Sequence, residues 1–188
     1  EQGSTILANY ADKRTQLNWL GIKISPAWFQ SLNPLFIIIF APVFAWIWVK
    51  LGKRQPSVPQ KFSLSLLFAG LSFLVILIPA YLGGTDSLVS PLWLVLSYLI
   101  VVFGELCLSP VGLSATTKLA PAAFSAQTMS LWFLASAAAQ ALNAQVVKFY
   151  TPETEMTYFG VIGGASIALG IILLMLSPKI QGFMKGIK

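Results

Sequence analysis

One carboxylate stands inside one of the most apolar stretches of the chain, the segment FGELCLSPVG at Phe103–Gly112. A carboxylate in the middle of a membrane-spanning helix costs about 2.5–3.5 kcal/mol and normally faces a partner or an aqueous cavity. At 100° per residue, Glu105 shares one helical face with a set of polar or small residues: Tyr98, Ser109, Gly112 and Thr116. We therefore predict that Glu105 faces a partner or an aqueous cavity; the alternative is a neutral, hydrogen-bonded glutamate in helix packing.

A second polar stripe lies further along the chain. Steps of four, four and three residues connect Trp132, Ser136, Gln140 and Asn143, and Phe133 is adjacent to the first of them. A polar stripe headed by two aromatic rings is typical of a cavity wall that holds a ligand side chain. Interhelical hydrogen bonding across an alanine-rich interface is the other interpretation, above all for the two amides.

Two further residues have side chains suited to a binding or coupling role. Asn33 precedes Pro34, and its amide can donate and accept toward a ligand or satisfy backbone groups that proline frees. We expect the helix to be irregular near Pro34 and Pro42, and near Pro110 beyond Glu105. Glu1 heads an apolar fragment and is either a buried helix residue or a frayed end.

The elements that carry these residues are membrane helices. The chain has 188 residues, of which 56% are hydrophobic and 10% charged, with a mean hydropathy of +0.77. So few charges do not cover a soluble globular surface. Apolar runs of spanning length predict five spans and a partial sixth at Glu1–Ala11 in one helical bundle: Pro26–Leu51, Phe62–Leu82, Pro91–Lys118, Ser125–Tyr150 and Tyr158–Leu176.

Two of these spans differ from the others in having no charged residue in their apolar bodies. Phe62–Leu82 and Tyr158–Leu176 are therefore predicted to face lipid. A ridge of small residues, Gly160, Gly164 and Ala168, should let a neighbouring helix approach the second one closely.

The distribution of charge gives the orientation and excludes several classes of function. Eight of the twelve Lys and Arg fall on the side of the GKRQPSVPQK loop and the C-terminus, which we expect to be cytoplasmic. The net charge of +6 then reflects membrane topology and not nucleic-acid binding. The sequence has no histidine, a single cysteine (Cys107) and no clustered ligands, so we expect no enzyme, no metal and no cofactor.

Several long segments together resemble one family. They are EQGS, FQSLNPLFIIIFAPVFAWIW, LGKRQPSVPQKF, SYLIVVFGELCLSPVGLSATTKLAP and MSLWFLASAA. In this order they closely resemble the C-terminal half of the proton-dependent oligopeptide transporter (POT or PTR) family of the major facilitator superfamily.

The resemblance implies an all-α, polytopic fold with twelve helices in two halves. Residues 1–188 would supply helices seven to twelve, with the seventh truncated and the N-terminal six-helix half absent from this chain. By the same resemblance, Asn33 and Glu105 capture a peptide amine, and Trp132, Phe133 and Ser136 line a side-chain pocket. Glu1 would be the proton-coupling glutamate.

The resulting expectation is proton-coupled symport of di- and tripeptides by alternating access. The partners would be peptides, protons as the coupling ion, the lipid bilayer and the N-terminal half, but not nucleic acid. The location would be the cell membrane, most simply a bacterial inner membrane. Rival hypotheses are another major facilitator transporter, for a drug or nitrate, and a non-transporting membrane sensor.

Overall fold

The described part of the chain folds into six α-helices. The computed structural model describes residues 5–19, 22–84 and 88–184. The helices are α1 (Ile6–Lys13), α2 (Pro26–Leu51), α3 (Val58–Gly83), α4 (Pro91–Leu119), α5 (Ser125–Val146) and α6 (Glu155–Phe183). Short 3₁₀ turns follow α2, precede α5 and follow α5, at Gly52–Arg54, Ala122–Phe124 and Val147–Phe149. The predicted all-α class is confirmed, with one addition.

The addition is a minimal hairpin between α1 and α2. Strand β1 (Asn18–Trp19) pairs antiparallel with β2 (Ile22–Lys23). A two-residue strand has no readable alternation of polar and apolar residues, so the sequence carried no signal for it.

Four helices in the described residues are long and apolar enough to cross a membrane. They cover Pro26–Arg54, Val58–Gly83, Pro91–Leu119 and Glu155–Phe183. The predicted span Ser125–Tyr150 is also helical, but α5 ends at Val146 and a 3₁₀ turn follows. Its hydroxyl and amide side chains lower its hydropathy, so α5 is not among these four helices, and the span expected there stays a prediction.

The prolines do not interrupt their helices. Helix α2 continues through Pro34 and Pro42, and α4 continues through Pro110. A proline removes one backbone hydrogen bond, but the turns on either side remain bonded. The irregularity expected at these positions therefore does not amount to a break.

The helices alternate in direction, which collects the basic residues at one end. At that end the start of α3, the end of α4 and the residue after α6 meet in a small apolar cluster of Val58, Ala115 and Met184. We call it the lysine-rich end, because six basic residues of the described chain lie there: Lys50, Lys53, Arg54, Lys61, Lys118 and Lys179. A capping box of Ser57 and Gln60 starts α3 at this end.

Helix α3 lies between α4 and α6. Its backbone meets that of α6 so closely that a Cβ on Gly70 would come within 2.6 Å of the Gly163 carbonyl oxygen. Ser63 Oγ also donates to the Gly170 carbonyl at 2.6 Å. The α3 span is 44% buried within this chain, and the expectation that the rest of the Phe62–Leu82 surface faces lipid stays a prediction.

The close approach on α6 involves only part of the predicted ridge. A Cβ on Gly164 would have no atom within 4 Å, whereas Gly163 and Gly170 face α3. Of the predicted ridge, Gly160 does face α3, since a Cβ there would lie 3.7 Å from Leu77 Cδ1, whereas Gly164 does not. Small residues spaced four apart share one face of a helix wherever the series begins. The spacing therefore identifies a candidate ridge, but it does not show which face of the helix the neighbour contacts.

At the end opposite the lysine-rich end, a buried ion pair joins α1 to α6. Arg14 Nε donates to both carboxylate oxygens of Glu155 at 3.2 Å. Arg14 Nη2 also donates to the Gly84 carbonyl at 3.1 Å, after the end of α3. Only 1% of Glu155 is exposed. This glutamate lies between two of the spans predicted from the sequence, and the sequence analysis did not find the pair.

Tyr150 completes this group from the segment before α6. Its hydroxyl donates to Glu155 Oε2 at 3.2 Å. Burial, and then the adjacent Glu155 carboxylate, raise the pKa of the Tyr150 hydroxyl. The hydroxyl therefore keeps its proton and remains a donor at neutral pH.

We predict that Glu155→Gln lowers the stability of the full-length protein. Removing one member of a buried ion pair leaves the other charge uncompensated, at a typical cost of about 3–5 kcal/mol. Thermal unfolding in detergent should show a clear drop in the midpoint. The exposed neighbour Glu153 offers a matched control, since Glu153→Gln should leave the midpoint unchanged. Equal midpoints for the two variants would contradict a stabilising role for the pair.

Candidate functional site

The carboxylate singled out in the sequence has one side-chain donor in the described chain. Asn33 Nδ2, on α2, donates to Glu105 Oε1, on α4, at 3.0 Å. Both residues are half-buried. The two residues that the sequence analysis assigned to one task are thus in direct contact, although they are 72 positions apart.

An aromatic cluster fixes α2 against α4 near this contact. Phe103, two residues before Glu105, packs against Phe40 and Phe44 of α2, with ring centroids 5.1 and 5.5 Å apart. Phe68 of α3 contacts the same ring at 6.1 Å. Aromatic pairs at such distances contribute beyond their buried area, so Phe103 ties the helix that carries Glu105 to two neighbours. The sequence analysis did not identify this cluster.

The charge of Glu105 has no cationic partner among residues 5–19, 22–84 and 88–184. The ion pair found there is Arg14–Glu155, and Glu105 accepts its hydrogen bond from a neutral amide. An ionised carboxylate can accept about four hydrogen bonds. Glu105 therefore retains the capacity to bind a cationic donor.

Trp132 of α5 packs on the same face of α4 that carries Glu105. A Cβ on Gly112 would overlap the six-membered ring of Trp132. On another side, the Phe62 ring lies 6.3 Å from that of Trp132. Gly112 follows Glu105 by seven residues, so the two positions are about 10 Å apart along the helix axis.

The other predicted pocket residues differ in exposure. Ser136 is half-buried, and its hydroxyl donates to the Trp132 carbonyl at 3.5 Å. Phe133 is 61% exposed. Glu1 lies outside the described residues. The roles assigned to these residues and to the Asn33–Glu105 pair remain predictions.

Comparison with known proteins identifies the family. The family model described as "POT family" matches residues 1–179. The chain belongs to the POT family. This places the four spanning helices in a family of multi-pass membrane transporters and not of enzymes.

Individual POT relatives align with this chain over its whole length. The chain is 65% identical to the uncharacterized transporter YclF of Bacillus subtilis, covering 100% of this chain and 38% of the relative. It is 46% identical to a di-/tripeptide transporter of Lactococcus lactis subsp. cremoris, covering 100% of this chain and 39% of the relative.

A solved structure confirms the major facilitator fold. The crystal structure of peptide transporter POT in complex with sulfate matches with a TM-score of 0.94 and 77% identity. The match covers 98% of this chain and 37% of that one. The chain thus spans about two-fifths of the length of the curated relatives it matches.

We predict that Gly112→Ala displaces Trp132 from α4. The added methyl group would occupy space that the indole now fills, and overpacking of this kind typically costs about 1–3 kcal/mol. The emission of Trp132 can be isolated as the difference between each protein and its Trp132→Phe counterpart. That emission should shift to longer wavelength in Gly112→Ala, as the indole becomes more exposed.

Gly164→Ala is the control for this experiment, because a Cβ there meets no atom within 4 Å. It should leave the Trp132 emission unchanged. An unshifted spectrum in Gly112→Ala would show that the indole does not depend on this glycine.

Proposed function

We propose that this chain forms the C-terminal six-helix half of a proton-coupled symporter of di- and tripeptides, working by alternating access. The observation that carries the proposal is the half-buried Glu105 carboxylate, held by Asn33 and without a cationic partner in the described chain. The substrate cavity lies between this half, which provides helices seven to twelve, and an N-terminal six-helix half.

The α-ammonium group of a peptide matches the free acceptor capacity of Glu105. An ammonium group offers three donors, and its hydrogen bonds to a carboxylate are charge-assisted. Asn33 restricts the orientation of the carboxylate through one oxygen, which leaves the other for the ligand. The bound amine would supply the compensating charge that the described residues do not.

The peptide carboxylate needs a cation that the span interiors of this half do not offer. The basic residues of the described chain lie near the helix ends and in the connections. A basic residue of the N-terminal half would therefore bind the carboxylate. A site shared in this way forms completely only when the two halves approach one another.

The second polar stripe suits the peptide side chains. Trp132, Phe133 and Ser136 would line the pocket, with Trp132 seated about 10 Å along α4 from Glu105. An extended chain of three residues spans at most about 10–11 Å. The spacing therefore fits a peptide of two or three residues whose amine is bound at Glu105.

The family and its named members support this assignment. The chain belongs to the POT family, and the Lactococcus relative is named a di-/tripeptide transporter. The excess of Lys and Arg at the lysine-rich end favours a cytoplasmic location for that end and for the C-terminus, with the protein in the cell membrane.

The pair is tested by Glu105→Gln in the full-length transporter. The uncharged amide should weaken binding of free-amine dipeptides by about 10- to 100-fold, because a hydrogen bond to a charged group contributes about 1.5–3 kcal/mol. Binding is measured by competition against a labelled dipeptide in proteoliposomes. Glu153→Gln, which removes an exposed carboxylate, should bind peptides normally.

The discriminating ligand is a dipeptide with an acetylated amine. It should bind weakly to the wild-type protein and no more weakly to Glu105→Gln. If both ligands lost affinity equally in the variant, Glu105 would not be the group that recognises the amine.

Coupling is assigned to Glu1, which stands in a segment of family-like sequence, EQGS. Burial raises the pKa of a carboxyl and a neighbouring cation lowers it, so a moving cation can change its protonation. Glu1→Gln in the full-length protein should abolish peptide accumulation driven by a pH gradient but keep counterflow exchange. Normal pH-driven accumulation by this variant would disprove the role.

A further inference from the structure

A cleft of about 470 Å³ opens at the lysine-rich end, and peptide transport as proposed above does not use it. Helices α2 and α3 both border α4 at this end, and residues of all three helices line the cleft. Its walls are mainly apolar, with Phe44 and Trp48 from α2 facing Leu106 and Val111 from α4. Its volume is in the range of sites that bind small molecules, about 300–1,000 Å³.

A buried lysine lines this cleft, and it has no acidic partner among the described residues. Lys61 is only 5% exposed, and its Nζ donates to Gln55 Oε1 at 2.9 Å. The same ammonium group lies 4.7 Å from the centre of the Trp48 ring. A buried charge is normally paired with an opposite charge, and an amide and a ring face stabilise Lys61 only in part.

Lys118 adds a second positive charge to the same cleft. It stands at the end of α4 and is exposed. Among the residues described, those that line the cleft include Lys61 and Lys118 but no Asp or Glu. Gln55 accepts one of the three hydrogen bonds that the Lys61 ammonium can donate, so donors remain for an anion.

The surroundings indicate a lipid and not a dissolved anion. The cleft lies where membrane helices end, and Trp46, beside it on α2, has the Lys50 ammonium 4.5 Å from its ring centre. Tryptophan and lysine at helix ends mark the headgroup level of a bilayer. A dissolved anion would leave the apolar walls of the cleft without a ligand, whereas an acyl chain would contact them.

We propose that this cleft binds one anionic phospholipid, with its phosphate between Lys61 and Lys118 and the upper part of an acyl chain between α2 and α4. Basic recesses between membrane helices are suited to such headgroups. A zwitterionic lipid is less suited, because the cleft offers its cationic group no carboxylate among the described residues. The inference does not depend on which substrate the transporter carries.

The test is native mass spectrometry of the full-length transporter in detergent, titrated with phosphatidylglycerol or with phosphatidylcholine of the same acyl chains. Wild-type protein should retain phosphatidylglycerol preferentially. Lys61→Gln/Lys118→Gln should bind it about tenfold more weakly, since charge-assisted hydrogen bonds are lost. The matched control, Lys23→Gln/Lys148→Gln, removes two exposed lysines at the opposite end and should bind like the wild type.

Two further variants separate the parts of the site. The single change Lys118→Gln alters only an exposed residue, and it should weaken phosphatidylglycerol binding even if the double variant fails to fold. Ala45→Phe adds a ring to the cleft wall while keeping both lysines. It should also weaken lipid binding, because the acyl chain loses its space.

Four results would overturn the proposal. One is equal retention of the two lipids by wild-type protein, and another is unchanged phosphatidylglycerol binding in both lysine variants. The third is displacement of phosphatidylglycerol by an equal concentration of glycerol phosphate, since that would identify a site for a free phosphate. Loss of lipid binding only in the opposite-end control would likewise place the site elsewhere.

Discussion

A carboxylate within an apolar helix bundle must be neutralised, hydrogen-bonded or accessible to a ligand, because the surrounding helices and lipid do not solvate it. Two carboxylates of this chain meet the requirement differently. Glu155 receives Arg14 Nε on both oxygens and Tyr150 on one. Glu105 receives one hydrogen bond from a neutral amide. The first charge is compensated within the chain, whereas the second is suited to compensation by a ligand.

The packing around these two groups differs in the same way. Helices α3 and α6 approach through Gly70, Gly163 and Gly170, where side chains would separate the backbones. Helix α4 joins this unit through Gly104, at which a Cβ would lie 3.0 Å from the Ser65 carbonyl. Glu105 is the next residue, so this carboxylate is carried by a helix with one closely packed face. Its contact with α2 is made by side chains, which can adjust more easily than backbones.

The sequence predicted the parts of this arrangement that depend on local pattern. Spans α2, α3, α4 and α6 follow from their apolar length. The resemblance of the segments that contain Asn33-Pro34 and Gly104-Glu105-Leu106 to a family assigned Asn33 and Glu105 to one role, and the two residues are in contact. The family itself is now established.

What the sequence did not predict depends on the relative positions of helices. Glu155 lies between two predicted spans, and its pairing with Arg14 was not predicted because the two residues are 141 positions apart. The predicted small-residue ridge included Gly164, which does not face α3, because spacing alone does not show which face of α6 the neighbour contacts. Lys61 was counted among the interfacial lysines, because the rule that orients helices counts charges without regard to burial. Its 5% exposure sets it apart from the exposed Lys53 and Lys118.

The exposed faces of α2 and α5 bear on what surrounds this half. The hydropathy of the α2 and α3 spans is nearly the same, 2.1 and 2.3, yet 0% of the first and 44% of the second is buried within the chain. An apolar face such as that of α2 is equally suited to lipid or to protein. Helix α5 is different: none of its residues is buried, and the exposed ones include the amide of Gln140. Because hydrocarbon does not hydrogen-bond such an amide, the polar face of α5 needs water or another protein surface. In the proposed arrangement, a water-filled cavity bounded by a second six-helix half would supply both, and it would give the same surroundings to the stripe of α5 that contains Trp132 and Ser136.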